Sequence, residues 1–343
     1  MRKIIRFLVA TAIGIFLLWI VFRTTNFTEL WNAIKTCNLW LFLLCIGTIL
    51  ISFVTRVIRW HFIVNSNDQA SFRHLFTSTQ IGFLANFLLP GRIGEAVRAG
   101  ALTKFTQIPL SKSLTYVALD RTTDLLGLLV ILIFALIGFH PKQDITLPPE
   151  IFNITLPANL IQKAAIITLT IIGLIFGLCI FFYLYSNRFL QHIKIAEKIL
   201  GERLILFLTH LVKNIREAIS MIKDTKAIIG AVFFSCLTWG CFWLSYIFLF
   251  KAFNVQYPWY TPPVSIALIS FLISVPGAPG FIGQFHVGVM GGLFLTVPNI
   301  DINIARAIAI LAHGANFLSV VSVGLLCIYI EQFSPITNTP KNK

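Results

Sequence analysis

Six stretches of this chain are apolar enough, and long enough alone or with their flanks, to cross a hydrocarbon core: Ile4–Phe22, Leu39–Val64, Leu125–Phe139, Ala164–Tyr185, Ile228–Phe250 and Ala305–Ile330. A crossing helix needs about 20 mainly apolar residues. Backbone in lipid must satisfy its own polar groups, and a helix does so within one segment. Composition agrees: only 12% of the 343 residues are charged, about half of what a soluble domain uses to cover its surface. The largest polar stretch, Ser186–Lys226, is partly amphipathic and too short for a second folded domain. The expectation is an all-α integral membrane protein, a single polytopic unit over 1–343.

The net charge of +14 invites a nucleic-acid reading, but its distribution argues against one. Lys and Arg concentrate at 2–6, 56–112, 188–226 and 341–343, whereas the alternate loops hold only Arg23, Lys35, Lys142, Lys163 and Lys251. That is the positive-inside pattern, which places both termini on the cytoplasmic side of the cell membrane. Basic residues there would attract anionic lipid headgroups. The first run follows Arg2, Lys3 and Arg6 like a secretory signal, yet ends in bulky Trp19, Val21 and Phe22 rather than a small-residue cleavage site. An uncleaved anchor helix is the better reading.

Two shorter runs break the pattern. Leu75–Leu89 leads into Pro90-Gly91-Arg92-Ile93-Gly94-Glu95, and Val264–Ala278 leads into Pro279-Gly280-Phe281-Ile282-Gly283-Gln284. The first is too short to span and returns to the basic side, which reads as a re-entrant segment. Two full spans in place of the second would preserve parity, so length leaves that alternative open. The matched hexamers suggest an inverted repeat, with halves at about 1–139 and 164–331. Pro removes an amide donor and Gly opens otherwise forbidden backbone angles. The polar groups so freed survive at membrane depth only inside protein or beside a wet cavity. Gly/Pro-interrupted segments in corresponding positions of two halves point to a transporter's substrate site; simple packing kinks are the plainer alternative. About six full spans plus two broken segments result.

Charges inside the membrane are costly and mark function or internal pairing. Asp120 and Asp124 share a helix face, and Arg121 reaches Asp124 at i,i+3. This cluster is either a packing ion pair or a headgroup or proton site. Arg92, Glu95 and Arg98 flank the first break, where two arginines suit a phosphate or else snorkel to the interface. On the last helix Asn303, Arg306, His313, Asn316 and Ser319 form a polar stripe expected to face the bundle interior. His313 and His286 are read first as buried, hydrogen-bonded histidines.

The six cysteines show no CxxC and no ligand spacing, so neither a disulfide framework nor a metal site is indicated. No Walker loop, nucleophile elbow or HExxH is present, and no cofactor is expected.

The motifs Asn86…Pro90-Gly91-Arg92…Gly94-Glu95…Arg98, then Arg121…Asp124, then Pro276-Gly277-Ala278-Pro279-Gly280…Gly283 resemble the lysylphosphatidylglycerol synthase transmembrane-region family of flippase-like membrane proteins. The resemblance covers nearly the whole chain. It implies a lipid translocase moving a phospholipid, anionic phosphatidylglycerol among them, or a lipid-linked headgroup. The alternative it leaves is a membrane-embedded enzyme or an accessory partner of a lipid-modifying enzyme, in an aminoacyl-phospholipid, glycolipid or hopanoid pathway. Lysyl transfer is not carried over, because no soluble synthase domain lies within these residues. The headgroup candidates are Asn86, Arg92, Glu95, Arg98, Asp120, Arg121, Asp124, Gln284, Arg306, His313 and Asn316. The helix-break residues are Pro90, Gly91, Gly94, Pro276, Gly277, Pro279, Gly280 and Gly283. His286 departs from the family pattern, which has an acidic residue nearby, and that puts ion coupling at the second break in question.

Overall fold

The computed structural model describes residues 15–89, 93–141, 143–146, 155–160, 224–275 and 277–333, with residue 12, scattered positions over 163–185, and positions 209 and 213. The expected spans Ile4–Phe22 and Ala164–Tyr185 are therefore described only in part. Pro90, Gly91, Arg92 and Pro276 lie wholly outside the described residues.

Helices dominate, and the strands are two short pieces, Ile145–Thr146 paired antiparallel with Thr155–Leu156. After a helical turn over 15–22, α1 is Phe27–Lys35 and α2 is Leu39–Val64. Each begins on an asparagine whose side chain accepts from amides of the first turn: Asn26 from Thr28 and Glu29, Asn38 from Trp40 and Leu41. Such a cap satisfies donors a helix start otherwise leaves bare. Then follow α3 (Phe72–Leu88), α4 (Gly94–Thr106), α5 (Leu110–Gly138) and α6 (Thr225–Ala252). The last three are α7 (Thr261–Ser274), which carries prolines in its first turn, α8 (Gln284–Thr296) and α9 (Ile302–Phe333). A 3₁₀ turn, Pro279–Phe281, separates α7 from α8.

Among the described residues, α2, α5, α6 and α9 are long and apolar enough to cross a membrane. Only 22–44% of their most apolar windows is buried inside the protein, so most of that apolar surface faces outward and requires lipid. The chain is a multi-pass membrane protein.

α2 and α6 pack along each other antiparallel: the Asn38 amide donates to the Ala252 carbonyl at 2.8 Å, and the Thr55 and Thr238 hydroxyls meet at 2.8 Å. The two expected breaks are helical hairpins. In the first, α3 and α4 run back along each other so tightly that a Cβ on Gly94 would overlap the Gly82 carbonyl and the Asn86 side chain. In the second, Gly288 and Gly292 of α8 pack on Ile269 and Ser265 of α7. Its corner is left-handed, with φ of 69° at Gly280, 56° at Phe281 and 85° at Gly283, a conformation glycine adopts without steric cost.

Connectivity puts the hairpins at opposite ends of the bundle. The first opens beside the end of α9, where Arg73 pairs with Glu331 at 3.2 Å. The second follows the end of α6, which lies beside the start of α2. α9 runs the full distance, its Asn303 donating to Glu29 of α1 at 2.8 Å. The tips meet midway, with Phe87 edge-on to Phe281 at 5.4 Å between ring centroids.

Candidate functional site

Seven charged side chains from α2, α4 and α5 converge beside the first hairpin. Asp120 on α5 is fully buried between two fully buried arginines. Arg59 of α2 reaches it at 2.8 Å and Arg98 of α4 at 2.5 Å. Arg59 also spans to Asp124, at 2.7 Å, and Ser235 of α6 accepts from the same guanidinium at 3.1 Å. Asp124 takes a further hydrogen bond from the Trp239 indole at 3.1 Å. The Arg98 guanidinium lies over the Trp60 ring at 3.6 Å, a desolvated cation–π contact. This dry half of the cluster locks α2, α4, α5 and α6 together.

The other half is wetter. Arg121 holds Glu95 at 2.9 Å and Asp124 at 3.4 Å. Exposures of 34% for Arg121 and 31% for Glu95, against 13% for Asp124 and 11% for Arg56, show which charges an incoming ligand meets first. Asn86 ties this edge to the hairpin tip, accepting from the Gly94 amide at 2.8 Å and donating to Glu95 at 3.4 Å.

These wetter groups border a cavity of about 480 Å³, within the roughly 300–1,000 Å³ range of small-molecule sites. Arg56, Asn86, Glu95, Arg121 and Asp124 line it together with Leu125, Leu128, Phe242, Ile269, Phe281 and Phe285. Both hairpin tips therefore contribute to one cavity. Exposed Leu88, Leu89 and Ile93 on the first tip, and Phe271 and Val275 on the second, surround it with apolar surface.

The second tip is held differently. Gln284 donates to the Leu272 and Val275 carbonyls at 2.9 and 3.0 Å, closing α8 onto the end of α7. His313 of α9 meets the Gly280 carbonyl at 2.7 Å and lies against His286, the two rings tilted with centroids 4.8 Å apart. Asn316 lines the cavity one turn on.

The structure thus assembles Asn86, Glu95, Arg98, Asp120, Arg121 and Asp124 into one cluster, and Gln284, His313 and Asn316 around the opposite tip. Arg98 does not line the cavity. Arg306 sits apart, donating to the Val21 carbonyl at 2.9 Å and the Thr24 hydroxyl at 2.7 Å, so the polar stripe of α9 divides between a helix-end anchor and the tip contacts. Sequence reasoning missed Arg56, Arg59, Trp60, Ser235 and Trp239. Their available signal was Arg56 and Arg59 at i,i+3 within an otherwise apolar span, positions that share a helix face. Among the described residues no group of His, Cys, Asp and Glu is arranged to hold a metal.

Comparison with known proteins gives a consistent picture. The family described as the lysylphosphatidylglycerol synthase TM region matches residues 5–324. A UPF0104 membrane protein of Methanocaldococcus jannaschii is 26% identical over 260 residues, covering 75% of this chain and 98% of that protein. No solved structure matches.

Proposed function

Because the chain belongs to the lysylphosphatidylglycerol synthase transmembrane-region family, we propose that it is a lipid translocase whose headgroup path runs between the two hairpin tips. The observation that carries this reading is the cavity to which both tips contribute, lined by charged and by apolar side chains. A phospholipid has the same division. Its headgroup would sit against Arg121, Glu95 and Asn86, while its acyl chains stay in hydrocarbon along the exposed apolar residues of the tips.

In this reading both hairpins are re-entrant, one from each membrane face, and the two halves form an inverted repeat. α3 and α4, of 17 and 13 residues, rise only about 25 and 20 Å at 1.5 Å per residue, short of a hydrocarbon core of about 30 Å. The positive-inside pattern of the basic loops supports cytoplasmic termini, and in this reading the first hairpin opens toward the cytoplasm. Anionic phospholipids and lipid-linked substrates are the partners such a site fits.

The enzyme alternative needs a carboxylate free to act as a base. Asp120 is closed in by Arg59 and Arg98, Asp124 is engaged by Arg59 and Trp239, and Glu95 is paired with Arg121 and Asn86, an arrangement that supports positioning over proton transfer.

The test is lipid movement in proteoliposomes containing labelled phospholipids and glycolipids. The protein is expected to equilibrate at least one of them between leaflets faster than protein-free vesicles do; rates equal to those of empty vesicles for every lipid would refute the reading. Within that assay Arg121→Gln is expected to slow movement by about tenfold, the loss of a charge-assisted contact of roughly 1.5 kcal/mol. Its partly exposed pair with Glu95 contributes at most about 1 kcal/mol to stability, so the folded yield is expected to hold. An unchanged rate would remove Arg121 from the path.

A further inference from the structure

The arginines of the charged cluster are not equally satisfied. Arg59 is spread over Asp120 and Asp124, Arg98 over Asp120 and the Trp60 ring, and Arg121 over Glu95 and Asp124. Arg56 differs. Its nearest carboxylate oxygen, on Asp124, is 3.9 Å away, and among the described residues its guanidinium donates no hydrogen bond. It lies between two aromatic rings, 5.1 Å from the Phe83 centroid and 5.6 Å from that of Phe242, on the wall of the cavity.

Charge balance singles out the same residue. Among the described residues, Arg56, Arg59, Arg98 and Arg121 face Glu95, Asp120 and Asp124, one positive charge more than the carboxylates offset. The donors of Arg56 face the cavity, and a guanidinium fork matches the oxygens of a phosphate. The aromatic sandwich holds the fork in place by cation–π attraction while leaving its N–H edge available. Glu95 and Asp124 line the same cavity and would repel a second negative charge. The complementary ligand is therefore a monoanion.

We propose that Arg56 is the specificity-determining anchor of the cavity, receiving one phosphate monoanion, the phosphodiester of a lipid headgroup, and so selecting singly anionic lipids over zwitterionic ones. This rests on the translocase reading, and the apolar surface around the tips favours a lipid over a free phosphate as the source of the anion.

The experiment measures binding and leaflet exchange of fluorescent phosphatidylglycerol and phosphatidylcholine by the full chain, with inorganic phosphate as a soluble competitor. The wild-type protein is expected to bind phosphatidylglycerol about tenfold more tightly than phosphatidylcholine. Arg56→Gln is expected to abolish that preference by weakening phosphatidylglycerol alone. Arg56→Lys keeps the charge within the aromatic sandwich but loses the fork, and is expected to fall between the two; it carries the test if the neutral variant fails to accumulate. Wild-type preference in both variants would overturn the assignment. Displacement of lipid by inorganic phosphate at equal concentration would overturn the lipid source. Transport indifferent to headgroup charge would refute the anchor and leave the translocase reading standing, whereas no binding or movement of any lipid would remove both.

Discussion

Asp120→Ala is expected to destabilise the protein by about 3–5 kcal/mol, the usual result of stripping the partner from a buried charge. Here one carboxylate serves two arginines, at 2.8 Å from Arg59 and 2.5 Å from Arg98, and all three side chains are fully buried. Arg59 keeps its 2.7 Å contact with Asp124, but Arg98 is left with only the face of Trp60. Water cannot easily reach it there, so the desolvation cost of the charge stands uncompensated. Replacing the pair together, Arg98→Met with Asp120→Leu, removes both charges and restores much of the volume, and is expected to recover more than half of the loss. Unfolding of purified protein from mixed micelles by sodium dodecyl sulfate measures both. If the double variant is as unstable as the single one, the loss does not come from the stranded charge of Arg98.

That pair also makes the two hairpins unequal. The first is fastened by Arg98 to Asp120 and by Glu95 to Arg121. The second, from Thr261 to Thr296, contains no Asp, Glu, Lys or Arg, and is held by side chain–backbone hydrogen bonds of Gln284 and His313 and by glycines in close contact with α7.

The membrane-crossing helices were legible because each contains a long, mainly apolar run, and Leu39–Val64 is recovered to the residue. The hairpin corners were legible from their Pro-Gly pairs, since few other sequences end a helix so sharply inside an apolar run. The site was only half legible. Asp120, Arg121 and Asp124 announce themselves as charges in the middle of a helix. Their partners Arg59 and Trp239 stand 61 and 115 residues away from the groups they bind, and nothing local records such a contact. Arg56 and Arg59 were grouped with the basic residues of the cytoplasmic side, to which they are neighbours in sequence. Arg98 suited a phosphate on charge alone, but a guanidinium with no exposed surface, stacked on Trp60, has an internal role instead.

The most direct test of the central claim, that a lipid headgroup passes between the hairpin tips, is to fasten them together. Phe87 and Phe281 touch across the gap with ring centroids 5.4 Å apart. With the six native cysteines replaced, Phe87→Cys and Phe281→Cys can be joined by a short bifunctional maleimide and leaflet exchange followed in proteoliposomes. The account predicts that cross-linked protein falls to the rate of empty vesicles, while each single-cysteine variant treated with the same reagent keeps its activity. Exchange at the full rate through a protein whose tips are covalently joined would contradict it.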